Sequence, residues 1–423
     1  MPRALSRLVE VVAPSRLGHS FRWLLASSFV NNAGDGVALA AGPLLVASLT
    51  HDPFLVSLAA LSADVPVLIF ALLGGVAADR FDRLRMVVIA NLARALMLAV
   101  LVATIVTGTV QIWIVLAALF ALSVAETFAD SASSTLLPSV VARADLGLAN
   151  ARLQSAFLLT NQLLLPPVGA FLFAIGPAIP FSTNAIGFVI GALLIRRVII
   201  DAKEARPPRT GIRTEMAEGI RWLMGHPPMR TLALTILLFN ITFGAAWSVL
   251  VLYADQRLGM NEVGFGLLTT AMAVGGIIGT VSYGRLERRF SLADIMRVGL
   301  IIETLTHLSL AITTSAAWAL GTFVVFGAHA FVWGTTSTVV RQRAVPDAVL
   351  GRVGGVYRVA IVLGMVIGTP IGGLLARQFG ITAPFWFGFV GSAVLVTVLW
   401  RQFSYIEHAG DDVPHDPDLV TDG

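Results

Sequence analysis

No cysteine occurs among the 423 residues, which excludes disulfides, thiolate catalysis, cysteine-held zinc and iron–sulfur clusters. Charge is scarce too: Asp, Glu, Lys and Arg make up 13% of the chain, against about a quarter in a soluble domain. No Walker-type phosphate loop, HExxH or GxSxG is present, so ATP hydrolysis, metalloprotease and serine-hydrolase chemistry have no residues to carry them. No enzyme activity, cofactor or metal is expected. What the chain has in quantity is apolar surface, at 56% hydrophobic residues and a mean hydropathy of +0.82. This composition belongs to an all-α integral membrane protein.

A helix needs about 20 mainly apolar residues to cross roughly 30 Å of hydrocarbon. Twelve windows satisfy this, at about 22–49, 55–78, 86–107, 111–131, 153–175, 178–196, 230–254, 264–283, 293–313, 316–340, 354–376 and 382–403. The first is no cleaved signal peptide, because Asn31, Asn32 and Asp35 interrupt its apolar core. Basic loops stay in the cytoplasm. With the N-terminus inside, 26 of the 29 basic residues fall on the cytoplasmic side; Arg257 and Arg377 fall outside and Arg94 lies within a span. Both termini are therefore expected in the cytoplasm, with the body in a bacterial cytoplasmic membrane. The arginines sit in loops and form no stripe for nucleic acid.

The longest loop divides six spans from six. The expected organisation is a cytoplasmic segment 1–21, a six-helix unit 22–196, a linker 197–229, a second six-helix unit 230–403 and an acidic tail 404–423. Within the linker, Ile212, Met216, Ile220 and Leu223 share one helical face, which reads as an amphipathic helix along the membrane surface. The tail has too little apolar surface to fold. The halves also repeat: Gly74–Arg83, GGVAADRFDR, aligns with Gly279–Arg288, GTVSYGRLER, and ADLGLANA from Ala144 aligns with PDAVLGRV from Pro346. A duplicated six-helix unit is a known arrangement for proteins that rock two halves about a midplane site.

Twelve spans in two halves, with GGVAADRFDRLR between the second and third, resemble the major facilitator superfamily, whose signature there is GxxxDRxGRR/K. Gly75, Asp79, Arg80 and Arg83 match; Asp82 replaces the usual glycine and Leu84 a basic residue. The stretches LLPSVVARADLGLANA, RWLMGHPPMRTLAL and VPDAVLGRVGGVYR are similar to the enterobactin-exporter and macrolide-efflux branch. The resemblance covers about residues 20–403. It implies the major facilitator fold, two pseudo-symmetric six-helix bundles in one monomer, and a secondary transporter moving amphipathic small molecules against protons. Uptake by symport, or a receptor or scaffold on the same fold, are the alternatives. The motif residues Asp79, Arg80 and Arg83 then act as a cytoplasmic latch; their plainer role is to enforce topology.

The resemblance also implies that the first, fourth, seventh and tenth spans line a central cavity. That would explain polar residues at bilayer depth, where a charge costs about 2.5–3.5 kcal/mol. Asp35, Glu126 and Asp64 are the candidates for carrying a proton. The alternative is a structural carboxylate, with Arg94 as partner for Glu126 or Asp130. Asn31, Asn32, Asn161, Gln162, Asn240, Trp247, His329 and Trp333 are the candidates for the cavity wall, where amides among aromatic rings suit an amphipathic ligand. Glu303 and His307, four apart on the ninth span, read as a local pair. Span five keeps only Pro166, Gly169 and Ala170 of the antiporter signature, while GMVIGTPIGG in span eleven is spaced for close packing.

Overall fold

A computed structural model describes residues 14–200 and 212–403. The tail expected to be unfolded, the first 13 residues and part of the linker lie outside the described residues. Among the described residues every regular element is helical. The first half comprises α1 (Gly18–Leu49), α2 (Pro53–Arg80), α3 (Arg83–Val106), α4 (Ile112–Val140), α5 (Leu146–Phe157), a π-helical segment (Leu158–Leu164), α6 (Leu165–Ile175) and α7 (Ile179–Ile195). The linker contributes α8 (Ile212–Gly225). The second half comprises α9 (Pro227–Trp247), α10 (Leu250–Gln256), α11 (Glu262–Arg289), α12 (Leu292–Ile312), α13 (Ala316–Ala344), α14 (Asp347–Phe379) and α15 (Ala383–Leu399).

Short polar loops start these helices by capping. Asp52 accepts a hydrogen bond from the Phe54 amide with Pro53 at the first helical position, and Asp82 accepts from the Arg85 amide. Asn261 and Ser291 cap α11 and α12 in the same way. Each cap satisfies an amide that the helix itself cannot. Gly108, at φ 69°, turns the chain between α3 and α4, where a side chain would be strained. The helices are apolar around most of their circumference, and Ile89, Leu96 and Val298 are exposed on their outer faces. Such surfaces suit lipid.

Among the described residues, ten helical stretches are long and apolar enough to span a bilayer. The sixth and twelfth expected spans are instead 17-residue helices, α7 and α15, at the lower limit of spanning length. The fifth span is interrupted by the π segment. Pro166 and Pro167 follow it and lack the amides that would close ordinary α-helical bonds to residues 162 and 163. The seventh breaks after Trp247 and resumes as α10.

Both halves use one set of pairings: second helix on fourth, third on fourth, third on sixth, first on fifth and first on sixth. α2 and α11 are both 28 residues long, so 53 stands opposite 262 and 80 opposite 289. This corrects the register read from the sequence by one helical turn: Arg80 corresponds to Arg289, and the caps Asp82 and Ser291 correspond. The earlier alignment paired Asp82 with Glu287, which lies inside α11 and forms an ion pair with Arg343 at 2.8 Å.

The halves join along two seams, α2 against α14 and α6 against α11. A single apolar cluster there takes residues from both halves, including Leu44, Val56, Phe173, Leu250, Tyr253 and Phe265. Asp52 and Arg377 pair across it at 3.6 Å. At the other end, which carries the arginine-rich loops, each half has its own cluster, Phe21 and Leu136 in one and Leu232 and Tyr357 in the other. The two halves are thus closed together at one end and parted at the basic end. The linker helix α8 docks on protein at that basic end: Gly219 lies against the Arg352 backbone, Glu218 pairs with Arg352 at 2.8 Å, and Leu223 is buried. Ile220, expected on its apolar face, is exposed.

Candidate functional site

The ionisable groups of the first half gather where α1, α3 and α4 meet. Arg94, on α3, is 5% exposed and reaches between helices. Its Nη2 donates to Asp35 Oδ1 at 2.6 Å and to Glu126 Oε2 at 3.3 Å. Its guanidinium carbon lies 3.9 Å from the centre of the Phe188 ring on α7. A planar cation is therefore held by one aromatic face and two carboxylates from two other helices. The Asp35 carboxyl is mostly buried, at 17% exposure, whereas that of Glu126 is 45% exposed. One positive charge serves two potential negative charges. The group is neutral only when it holds one additional proton or a second cation.

The structure brings Asp35, Glu126 and Arg94 together and leaves the other carboxyl candidate apart. Asp64 is half-buried on α2, next to Ala63, whose carbonyl accepts from Ser123 on α4 at 2.6 Å. Asp130, one turn beyond Glu126, is exposed. Asn31 turns towards α7, where a Cβ on Gly191 would collide with its amide, and its buried Oδ1 has no partner among the described residues. Asn32 bonds back to Ser28 on its own helix, at 2.7 Å to the carbonyl. Asn161 and Gln162 lie in the π segment at the seam with α11 and bond to each other at 2.6 Å. Two amides not singled out from the sequence belong to the same region. Asn91 is fully buried one turn before Arg94, with both polar atoms unpartnered among the described residues, and Asn184 on α7 packs against Gly34. The three-residue spacing of Asn91 and Arg94 was the available signal.

The second half carries an aromatic stack. Phe239, Phe243 and Trp247 recur every four residues on α9, and successive rings stack at 5.9 and 4.2 Å between centres. From α13, Phe326 and Trp333 stack on Phe243 and Phe239. The three α9 rings are part-exposed, while His329 and Trp333 are buried behind them. Asn240 bonds to the Ile236 carbonyl at 2.7 Å and packs on Gly364.

At the basic end, Arg83 donates to the Thr135 carbonyl at 3.4 Å in the last turns of α4, where a cation meets the negative helix terminus. Asp79 and Arg80 are exposed, and Gly75 lies inside α2 with open space beside it. Asp82, the departure from the family signature, caps α3.

The profile of the transmembrane secretion effector family matches residues 10–414. The chain is 27% identical over 379 residues to the multidrug efflux pump Tap of Mycolicibacterium fortuitum, covering 86% of this chain and 90% of that one. It is 26% identical over 383 residues to the enterobactin exporter EntS of Shigella boydii, covering 85% and 86%. Among solved structures, a bacterial homologue of the iron transporter ferroportin in its inward-facing state superposes with a TM-score of 0.74 at 19% identity, covering 91% of this chain and 98% of that one. The same homologue facing outward gives 0.60 at 20% identity, covering 92% and 100%. By the near full-length profile match and the paired six-helix halves, this chain belongs to the transmembrane secretion effector family of the major facilitator superfamily.

Proposed function

We propose that this chain is a proton-coupled exporter of amphipathic small molecules that works by alternating access. We place it in a bacterial cytoplasmic membrane with both termini inside. The observation that carries the reading is the sharing of one guanidinium by Asp35 and Glu126 among the spanning helices of the first half. Such a group binds a proton to become neutral, and in a low-dielectric site that neutrality is worth several kcal/mol. Asp35 at 2.6 Å holds Arg94 in place, and the more exposed Glu126 exchanges its proton with water. When a substrate arrives, or the halves rock, Arg94 pairs more closely with Glu126 and the proton is released. The two carboxyls titrate as a unit.

Export is supported by the relatives, a multidrug efflux pump and an enterobactin exporter. The part-exposed rings on α9 supply apolar surface in one half and the Arg94 group supplies charge in the other, which together suit a ligand with both characters. If the arginine-rich end faces the cytoplasm, the opening between the halves faces the cytoplasm as well, ready to load.

The test uses everted membrane vesicles energised by a pH gradient. The wild-type protein is expected to accumulate a fluorescent efflux substrate and to release protons when it is added. Asp35→Asn and Glu126→Gln should each abolish substrate-dependent proton release. Unchanged release in both variants would overturn the coupling assignment, and accumulation in right-side-out vesicles only would establish uptake instead.

A further inference from the structure

The second half has a buried ionisable centre of its own, which the coupling scheme above does not use. Glu303 and His307 on α12 are fully buried, and His329 on α13 is 5% exposed. His307 Nε2 donates to Glu303 Oε1 at 2.9 Å. His329 Nε2 stands 3.5 Å from the other oxygen, Oε2, inside ion-pair range but without a hydrogen bond. The pair legible at four-residue spacing is therefore a triad, with one imidazole held tightly and one loosely. Glycines make the room: a Cβ on Gly299 would press on Trp333 and His329, and one on Gly388 of α15 would press on His307.

The position of this triad repeats that of the first centre. Arg94 is the twelfth residue of α3, and Glu303 is the twelfth residue of α12, the corresponding helix. Their partners Glu126 and His329 lie on the next helix of each half, at its fifteenth and fourteenth residues. The same location holds a base on the third helix and an acid on the fourth in one half, and the reverse in the other. The difference matters chemically, since arginine stays charged at any working pH and histidine does not.

We propose that Glu303, His307 and His329 form a second proton-binding site, separate from the Asp35–Arg94–Glu126 group, that gains and loses one proton through His329. With a single proton shared among the three groups the triad is neutral, which satisfies burial. A second proton, taken from water between the halves by His329, gives a net charge of +1, and returning it restores neutrality. His307, hydrogen-bonded at 2.9 Å, stays the fixed counter-group of Glu303. His329 is the exchangeable one because it is loosely held and touches Phe326, on which the part-exposed Phe243 stacks.

The surrounding helices leave the triad electrostatically alone. α15 has no ionisable residue, and α9 has only Arg230 in its first turn. On α11 the ionisable groups are Glu262 at one end and Tyr283, Arg285, Glu287, Arg288 and Arg289 near the other; on α13 the others are Arg341 and Arg343 in the last turn. α14 contributes Asp347 at its first position, Arg352, Tyr357, Arg358 and Arg377, of which Tyr357 is held by Ser337 and Arg341 near the basic end. Asp294 and Arg297 on α12 pair with each other at 3.1 Å. Arg341 lies roughly 18 Å along its helix from His329.

The proposal rests on the transporter reading only for its consequence, an additional proton per cycle; the site itself is tested without transport. The full-length protein, purified in detergent with nitrogen-15 histidine, is titrated from about pH 5 to 9 by NMR, the range in which imidazoles change charge. His329 and His307 are assigned by the signals lost in His329→Gln and His307→Gln. The expected result is a change of protonation state at His329 within this range in the wild type. It should be displaced by about one pH unit or more in Glu303→Gln and retained in Asp35→Asn. A wild-type His329 that keeps one protonation state throughout overturns the proposal, whatever the variants do. A titrating His329 alongside undiminished proton release by Asp35→Asn and Glu126→Gln vesicles would leave this site standing and remove the coupling assignment in the other half.

Discussion

Arg94 is the side chain whose loss would be felt most, because Asp35 and Glu126 both depend on its single charge. Arg94→Met leaves two carboxyls without a counter-charge, and breaking a buried pair in this way costs about 3–5 kcal/mol. A lower thermal midpoint in detergent would register it, and adding Asp35→Asn should recover most of the loss; no recovery would show that the arginine stabilises by packing on Phe188. The candidacy of these residues was legible, since a charge in an apolar run needs a partner. The pairing of Glu126 with Arg94 was among the expectations; the tighter contact with Asp35, 59 positions away in sequence, was not. A separate cap experiment concerns Asp82. Asp82→Ala should cost about 1 kcal/mol as a lost helix N-cap, whereas Asp82→Asn or Asp82→Ser, which can still accept from the Arg85 amide, should be close to neutral in the same melting assay.

At the scale of elements, α9 and α14 are joined through glycine. Gly364, Gly368 and Gly372 present no side chain to α9, so the two backbones approach until a Cβ on Gly368 or Gly372 would fall on the carbonyls of Ile241 or Ala245. Gly368→Val should therefore force the helices apart, costing about 1–3 kcal/mol as overpacking and lowering the amount of folded protein recovered from membranes. Gly354→Ala, on the same helix but facing open space, is the control and should be tolerated. The spacing of GMVIGTPIGG announced this packing. The π segment was not legible, because its cause is tertiary as well as local: Gly36 on α1 packs on the Thr160 carbonyl, and the two prolines remove amides just beyond it. The register of the two halves was misread for a related reason. Basic loops resemble one another in composition, and only the observed helix ends fix which residues correspond.

For the whole molecule, closure at one end and separation at the other define one of two arrangements of the same halves. Ser57 on α2 and Gly373 on α14 touch across the closed seam, and the chain has no native cysteine. Ser57→Cys with Gly373→Cys, oxidised, should form a disulfide after a backbone shift of about 1 Å and stop transport, with recovery on reduction; full transport by the cross-linked protein would show that this seam never opens. The membrane location, the helices and the duplication were determined by the sequence, because a bilayer of fixed thickness demands apolar runs of fixed length and every helix satisfies its own backbone. Which charges meet, which end is shut, and that Glu303 gains a second histidine were decided only by the tertiary structure. Those contacts depend on how each helix is rotated about its axis and on where one half sits against the other, and the order of residues along a single helix contains neither quantity.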